Sequence, residues 1–72
     1  MKTREMEVLV RVVDTGSMTR AARQLDVTPA AVSGVVARAE ATRGVRLFER
    51  TTRTLHPTDE GLVILEGCRD VL

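Results

Sequence analysis

The sequence is poor in the groups on which most small-domain functions depend. Phe48 is its only aromatic residue, with no tryptophan or tyrosine. Proteins that hold single strands or RNA loops stack bases on aromatic rings, so this composition argues against both ligands. Cys68 and His56 are the one cysteine and the one histidine. No internal disulfide can form, and one Cys with one His cannot supply the four ligands of a usual zinc site; no metal and no cofactor are expected. A lone thiol sits comfortably in a reducing cytoplasm, and Cys68 is read as part of an apolar helix face with nothing nearby to activate it. No apolar run approaches the ~20 residues that span a bilayer. The start, Met1-Lys2-Thr3-Arg4-Glu5, lacks the apolar stretch of a signal peptide. A cytoplasmic domain with no membrane partner is the expectation. There is no Ser/His/Asp arrangement of useful spacing, no phosphate loop and no metal cluster, so an enzyme is not expected.

What is present fits one small domain of 72 residues, marginally stable because a chain this short buries a modest fraction of its surface. The net charge of +1 says little by itself. Its distribution says more: every basic residue except Lys2 is an arginine, and Arg38, Arg43, Arg46, Arg50 and Arg53 share a stretch holding only the acids Glu40 and Glu49. The planar fork of arginine reads phosphates and base edges through paired hydrogen bonds. A solvated, salt-bridged surface is the alternative reading of the same charges.

Helical periodicity organises the chain. Thr3 can cap a first helix over residues 4–15, in which Met6, Leu9, Val10 and Val13 form one apolar face and Gly16 stands at the end. Ser17 can cap a short second helix ending near Leu25, with a narrow face of Met18, Ala21, Ala22 and Leu25. After the tight link Asp26-Val27-Thr28, the pair Thr28-Pro29 is a strong helix start. It predicts a third helix over 29–42, with Gly44 just beyond. Val32, Val36 and Ala39 share its inner face; Ala30, Ser33, Gly34 and Ala37 fall on a side nearly bare of bulk. Residues 45–50 and 54–56 are β-prone and read as a small hairpin, with Pro57 suited to the end of an edge strand. Thr58 can cap a last helix whose apolar positions are Leu62, Leu65, Cys68 and Leu72.

Two short helices joined by a tight turn form a helix-turn-helix, in which the second helix enters the major groove and the first braces it. Small residues at the crossing (Ala21, Ala22), an apolar plug in the turn (Val27) and a smooth outer face on the third helix meet that requirement. The fold class expected is mainly α, a winged helix-turn-helix with a three-helix core, a β-hairpin wing and a C-terminal helix, which the family resemblance given below implies is a linker helix. Residues 1–57 would form the DNA-binding domain, and 58–72 the start of a linker or dimerisation helix.

Three segments carry a family resemblance: Gly16-Ser17-Met18-Thr19-Arg20-Ala21-Ala22, Val27-Thr28-Pro29-Ala30-Ala31-Val32-Ser33, and residues 44–53 from Gly44 to Arg53. With Thr58-Asp59-Glu60-Gly61 they resemble the N-terminal domain of LysR-type transcriptional regulators across nearly the whole chain. The resemblance implies sequence-specific binding of double-stranded DNA by a bacterial transcription regulator, with helix 29–42 in the major groove and wing 50–54 near the minor groove. It implies a homodimer through the C-terminal helix, a tetramer in the full-length protein, and a small-molecule inducer bound only by a C-terminal domain absent here. By position, it places DNA contacts on Thr28, Pro29, Ala30, Ser33 and Gly34, and in the wing on Arg50, Thr52 and Arg53. Leu62, Leu65 and Leu72 are assigned to the dimer interface.

Some residues stay open. The family often carries Arg or Lys where this chain has Gly34, and Ala39 and Arg43 stand where it usually has leucines. Either the core beneath the third helix is thinner, or Arg43 turns to solvent and its neighbours fill the gap. Arg50 can touch a phosphate or pair with Glu40 or Glu49. Arg53, at the wing tip, suits a narrow minor groove. His56 is read as a surface strand residue.

Overall fold

The computed structural model describes residues 2–50 and 55–71, Arg50 through its backbone alone. The elements run α1 (Thr3–Thr15), α2 (Met18–Leu25), α3 (Pro29–Arg43), β1 (Phe48–Arg50), β2 (Leu55–Pro57) and α4 (Asp59–Val71). The strands pair antiparallel, with Phe48 opposite Pro57 and Arg50 opposite Leu55.

Capping explains most helix starts. The Ser17 side chain accepts from the Arg20 amide at 3.2 Å, and the Thr28 hydroxyl from the Ala31 amide at 3.0 Å; each satisfies a donor left over in a first turn. The expected cap at Thr3 is not formed. The first helical bond of α1 runs from Met6 N–H to the Lys2 carbonyl at 3.1 Å, which puts Thr3 inside the first turn and Lys2 at the cap, without a side-chain bond. Left-handed residues end three helices: Gly16 after α1, Gly44 after α3, and Asp26 with φ 58° after α2. Aspartate tolerates that conformation better than most side chains. There the Val27 amide bonds to the Ala22 carbonyl at 3.0 Å, which turns the partly buried Val27 onto the core.

The core takes Val8, Leu9 and Val12 from α1, Ala21 and Ala22 from α2, and Val32, Val36 and Ala39 from α3. Leu47, Phe48, Leu65 and Cys68 close it from the hairpin base and α4. Alanine methyls at the inner face of α2 let α1 and α3 approach it closely. Full burial of Leu9, Val12, Val32 and Leu47 stabilises by about 1.5–3 kcal/mol apiece. Under α3 Arg43 turns to solvent, but its neighbours do not fill the gap: a shallow hollow lined by Glu5, Ala39, Thr42 and Arg43 opens there, so the packing is thinner at this end.

Residues 45–47 are not strand, contrary to expectation. Their backbone groups have other partners: Leu47 N–H donates to the Glu40 carboxylate at 2.8 Å, and the Leu47 carbonyl accepts from Thr58 N–H at 2.9 Å. The Thr58 hydroxyl donates to the Arg46 carbonyl and accepts from Gly61 N–H at 2.9 Å. Thr58 therefore caps α4 and also ties its start to the hairpin base. Gly61 is buried where α4 crosses Leu47.

Further along α4, Arg69 pairs with Asp14 of α1, Nη1 lying 3.3 Å from Oδ2. The hydrogen bond from Arg69 holds the Asp14 carboxyl below the usual carboxylate range. Both side chains are about half exposed, so solvent screens the pair and it adds little to stability. Leu65 is only 3% exposed, because the buried line of α4 runs through Gly61, Leu65 and Cys68. That corrects the assignment of Leu65 to a dimer seam, since its side chain is already used by the core. Leu62 is 44% exposed, and Val63 and Val71 more so.

Candidate nucleic-acid interface

The burial of Val32, Val36 and Ala39 dictates what α3 turns outward. Ala30, Ala31, Ser33, Ala37, Arg38 and Ala41 are exposed, and Gly34 is half-buried among them. The outer face is thus low and almost uncharged, which lets a helix backbone come near base edges in a groove wide enough for one helix. Thr28, Pro29 and Ala30, all exposed, form its leading end. Pro29 has no N–H, Ala31 N–H is held by Thr28, and Val32 N–H by the Thr28 carbonyl at 3.2 Å.

The sequence-assigned residues Thr28, Pro29, Ala30, Ser33 and Gly34 therefore lie together on one side of α3. Thr52 and Arg53 lie outside the described residues, as does the side chain of Arg50; Leu72 is outside them too. The described base of the hairpin borders α3: a shallow groove runs between them, lined by Met18, Ser33, Ala37, Arg46, Phe48 and Leu55. Arg46 is exposed on its flank. A second depression, between the α1–α2 turn and β2, carries Ser17, Arg20 and His56. In the sequence Arg46 is one of five clustered arginines and Arg20 one residue of a family segment, and neither is assigned to a contact, since their position beside the hairpin depends on how α2 and the strands pack. Arg38 is also missing from the assigned set. Its spacing of one helical turn from Gly34 is the signal that points to it: its Nη1 lies 3.8 Å from where a Cβ on Gly34 would stand. Among the described residues no group of His, Cys, Asp and Glu could hold a metal ion, and no helix is long and apolar enough to cross a membrane.

Comparison with known proteins agrees with this geometry. Residues 3–62 match the family described as bacterial regulatory helix-turn-helix protein, lysR family. The chain is 51% identical to the HTH-type transcriptional regulator CrgA of Neisseria meningitidis serogroup B, over 100% of this chain and 25% of the relative. It is 37% identical to the HTH-type transcriptional activator AaeR of Escherichia coli K12, over 99% of this chain and 23% of the relative. It thus spans about a quarter of the length of these curated relatives. Among solved structures, the CbnR DNA-binding domain in complex with DNA superposes with a TM-score of 0.92 at 31% identity, covering 99% of this chain and 82% of that one. The BenM domain with benA site 1 DNA gives a TM-score of 0.93 at 28% identity, covering 99% and 80%. By the match over residues 3–62 and these relatives, this chain, a winged helix-turn-helix domain, belongs to the LysR family of bacterial regulatory proteins.

Proposed function

We propose that this chain is the sequence-specific, double-stranded DNA-binding domain of a transcription regulator and not an enzyme. Its α3 enters the major groove, and the wing over 50–54 lies near the minor groove. The observation that carries this reading is the bare outer face of α3, backed by a fully buried inner face, in a fold whose relatives CbnR and BenM are found in DNA complexes. On this reading Thr28, Pro29, Ala30, Ser33 and Gly34 meet the groove. Arg50, Thr52 and Arg53 meet the backbone and minor groove. Residues 1–57 are the reading unit and 58–72 begin a linker helix. The regulator works in the cytoplasm.

The test is selection of bound duplexes from a random pool, followed by salt titrations on matched and scrambled sites. Base-edge contacts supply discrimination, whereas each neutralised phosphate adds to the salt dependence. Ser33→Ala should narrow the gap between preferred and mismatched duplexes by about 1 kcal/mol, roughly fivefold, with the salt slope nearly unchanged. Arg53→Ala should weaken most duplexes and flatten that slope by about one unit. A wild-type protein with no preferred sequence, or a Ser33→Ala variant that loses equally on every duplex, would overturn the assignment.

We also propose that α4 pairs with a second copy. Leu62, Val63 and Val71 are 44%, 72% and 65% exposed, and apolar side chains in solvent at this density favour an interface. Leu72 is assigned to the same seam. Two reading heads then meet half-sites spaced by about one DNA turn or a multiple of it. In the whole regulator, two such dimers form a tetramer, and a C-terminal domain takes the small-molecule inducer. Sedimentation of the full-length protein should show dimers or tetramers that dissociate when Leu62 and Val63 are both changed to Glu. A wild-type protein that stays monomeric at millimolar concentration refutes the pairing.

A further inference from the structure

We propose that Arg38 is a specificity-determining residue that contacts a guanine in the major groove across the space left by Gly34. This rests on the DNA-binding reading above and extends it to one base pair. The outermost line of α3, Ala30, Gly34, Ala37 and Ala41, has no side-chain hydrogen-bond donor, and Ser33 beside it has one hydroxyl. A face so bare can accept methyl groups but offers guanine no paired donors, only the single Ser33 hydroxyl. Helical side chains lean back over the turn before them, so the stem of Arg38 runs toward Gly34 rather than away from it. Its Nη1 stands 3.8 Å from the position of a Gly34 Cβ. Gly34 is only half exposed on an otherwise open face, as expected if the arginine covers it. Arg38 forms no ion pair with a described carboxylate, and the nearby Glu40 is engaged by the amides of Leu47 and Phe48. An unpaired guanidinium lying over the reading face, rather than at its margin, faces base edges. Its fork matches the O6 and N7 acceptors of guanine.

The experiment uses the full chain, its selected duplex, and variants in which each G·C pair of the site is replaced in turn. For wild type, one replacement should cost roughly ten- to hundredfold in affinity. Arg38→Ala should abolish that penalty at the one position. Arg38→Lys keeps the charge but lacks the fork, so it should lose the penalty while keeping the salt slope. Gly34→Leu, which fills the space under the guanidinium, should lose it with Arg38 still present; thermal melts establish that each variant is folded. If wild type discriminates but Arg38→Ala weakens every duplex alike, lowers the salt slope by about one, and is rescued by lysine, then Arg38 is a phosphate ligand. The inference then fails while the DNA-binding reading stands. Unchanged discrimination in Arg38→Ala overturns it equally. If wild type prefers no sequence, the underlying reading fails and this inference with it.

Discussion

Gly61→Ala should remove about 3 kcal/mol or more of stability, whereas Gly67→Ala, the same change in the same helix, should add about 0.5–1 kcal/mol. A Cβ on Gly61 would stand 2.8 Å from the Leu47 carbonyl carbon and 2.9 Å from its Cα, and closer still to the carbonyl oxygen. These are backbone atoms and cannot swing aside. Leu47 is held on both sides, its N–H by Glu40 at 2.8 Å and its carbonyl by Thr58 N–H at 2.9 Å. The start of α4 must therefore lift off, which breaks the Thr58 ties and opens the core at Leu65. Total stability for a domain of 72 residues is on the order of 4–11 kcal/mol, so this loss is a large share of it. Gly67 is exposed and a Cβ there meets nothing within 4 Å, so alanine only lowers the entropy that folding must overcome. Thermal melts followed by circular dichroism should show Tm falling by at least ~12 °C for Gly61→Ala and rising by a few degrees for Gly67→Ala. A Gly61→Ala protein melting within a few degrees of wild type would mean that α4 does not cross Leu47 as closely as described.

The second large effect is expected at Glu40. Its Oε2 accepts from Leu47 N–H at 2.8 Å and, more weakly, from Phe48 N–H at 3.4 Å. Both residues are buried, so no water readily replaces that acceptor. Glu40→Ala strands the amides and should cost about 1.5–3 kcal/mol, since an orphaned buried donor loses its full solvation. Glu40→Gln keeps an oxygen acceptor of the same reach and should recover at least half of the loss. Urea titrations of the three proteins check this through the shift of midpoint at constant slope. Equal losses for Ala and Gln would show that charge rather than hydrogen-bond acceptance matters at this site. The same contact fixes where the wing begins relative to α3, so Glu40→Ala should also weaken DNA binding in proportion to its effect on the hairpin base.

Glu40 also shows where sequence reasoning stops. Within the chain it reads only as one of two acids among five arginines, a candidate partner for Arg50. Its use as a surrogate strand partner for Leu47 and Phe48 depends on the path of the chain after Gly44, which no local pattern encodes. The same backbone bonds explain why a β-prone stretch from Val45 to Leu47 does not extend the strand: tertiary partners outbid intrinsic preference. Likewise, Leu62 and Leu65 are equivalent in composition and lie one turn apart. Their separation into surface and core follows from the angle at which α4 lies on α1 and the hairpin, set by the contact at Gly61.

The sequence by itself determined the helices and their order. The caps Ser17, Thr28 and Thr58, the Pro29 start, the Gly16 and Gly44 stops and the spacing of Val32 and Val36 are local signals with local physics, and they also separate the inner from the outer face of α3. Ala30, Ser33, Gly34 and Ala37 were legible as that outer face because a helix face follows from periodicity alone, whereas the assignment of Thr28 and Pro29 to DNA contact came from the family resemblance. Only the tertiary structure decided which apolar residues of α4 remain outside, what Glu40 holds and why residue 61 has no side chain. Each of these depends on the distance between groups on different elements, and such distances are set only when the core closes.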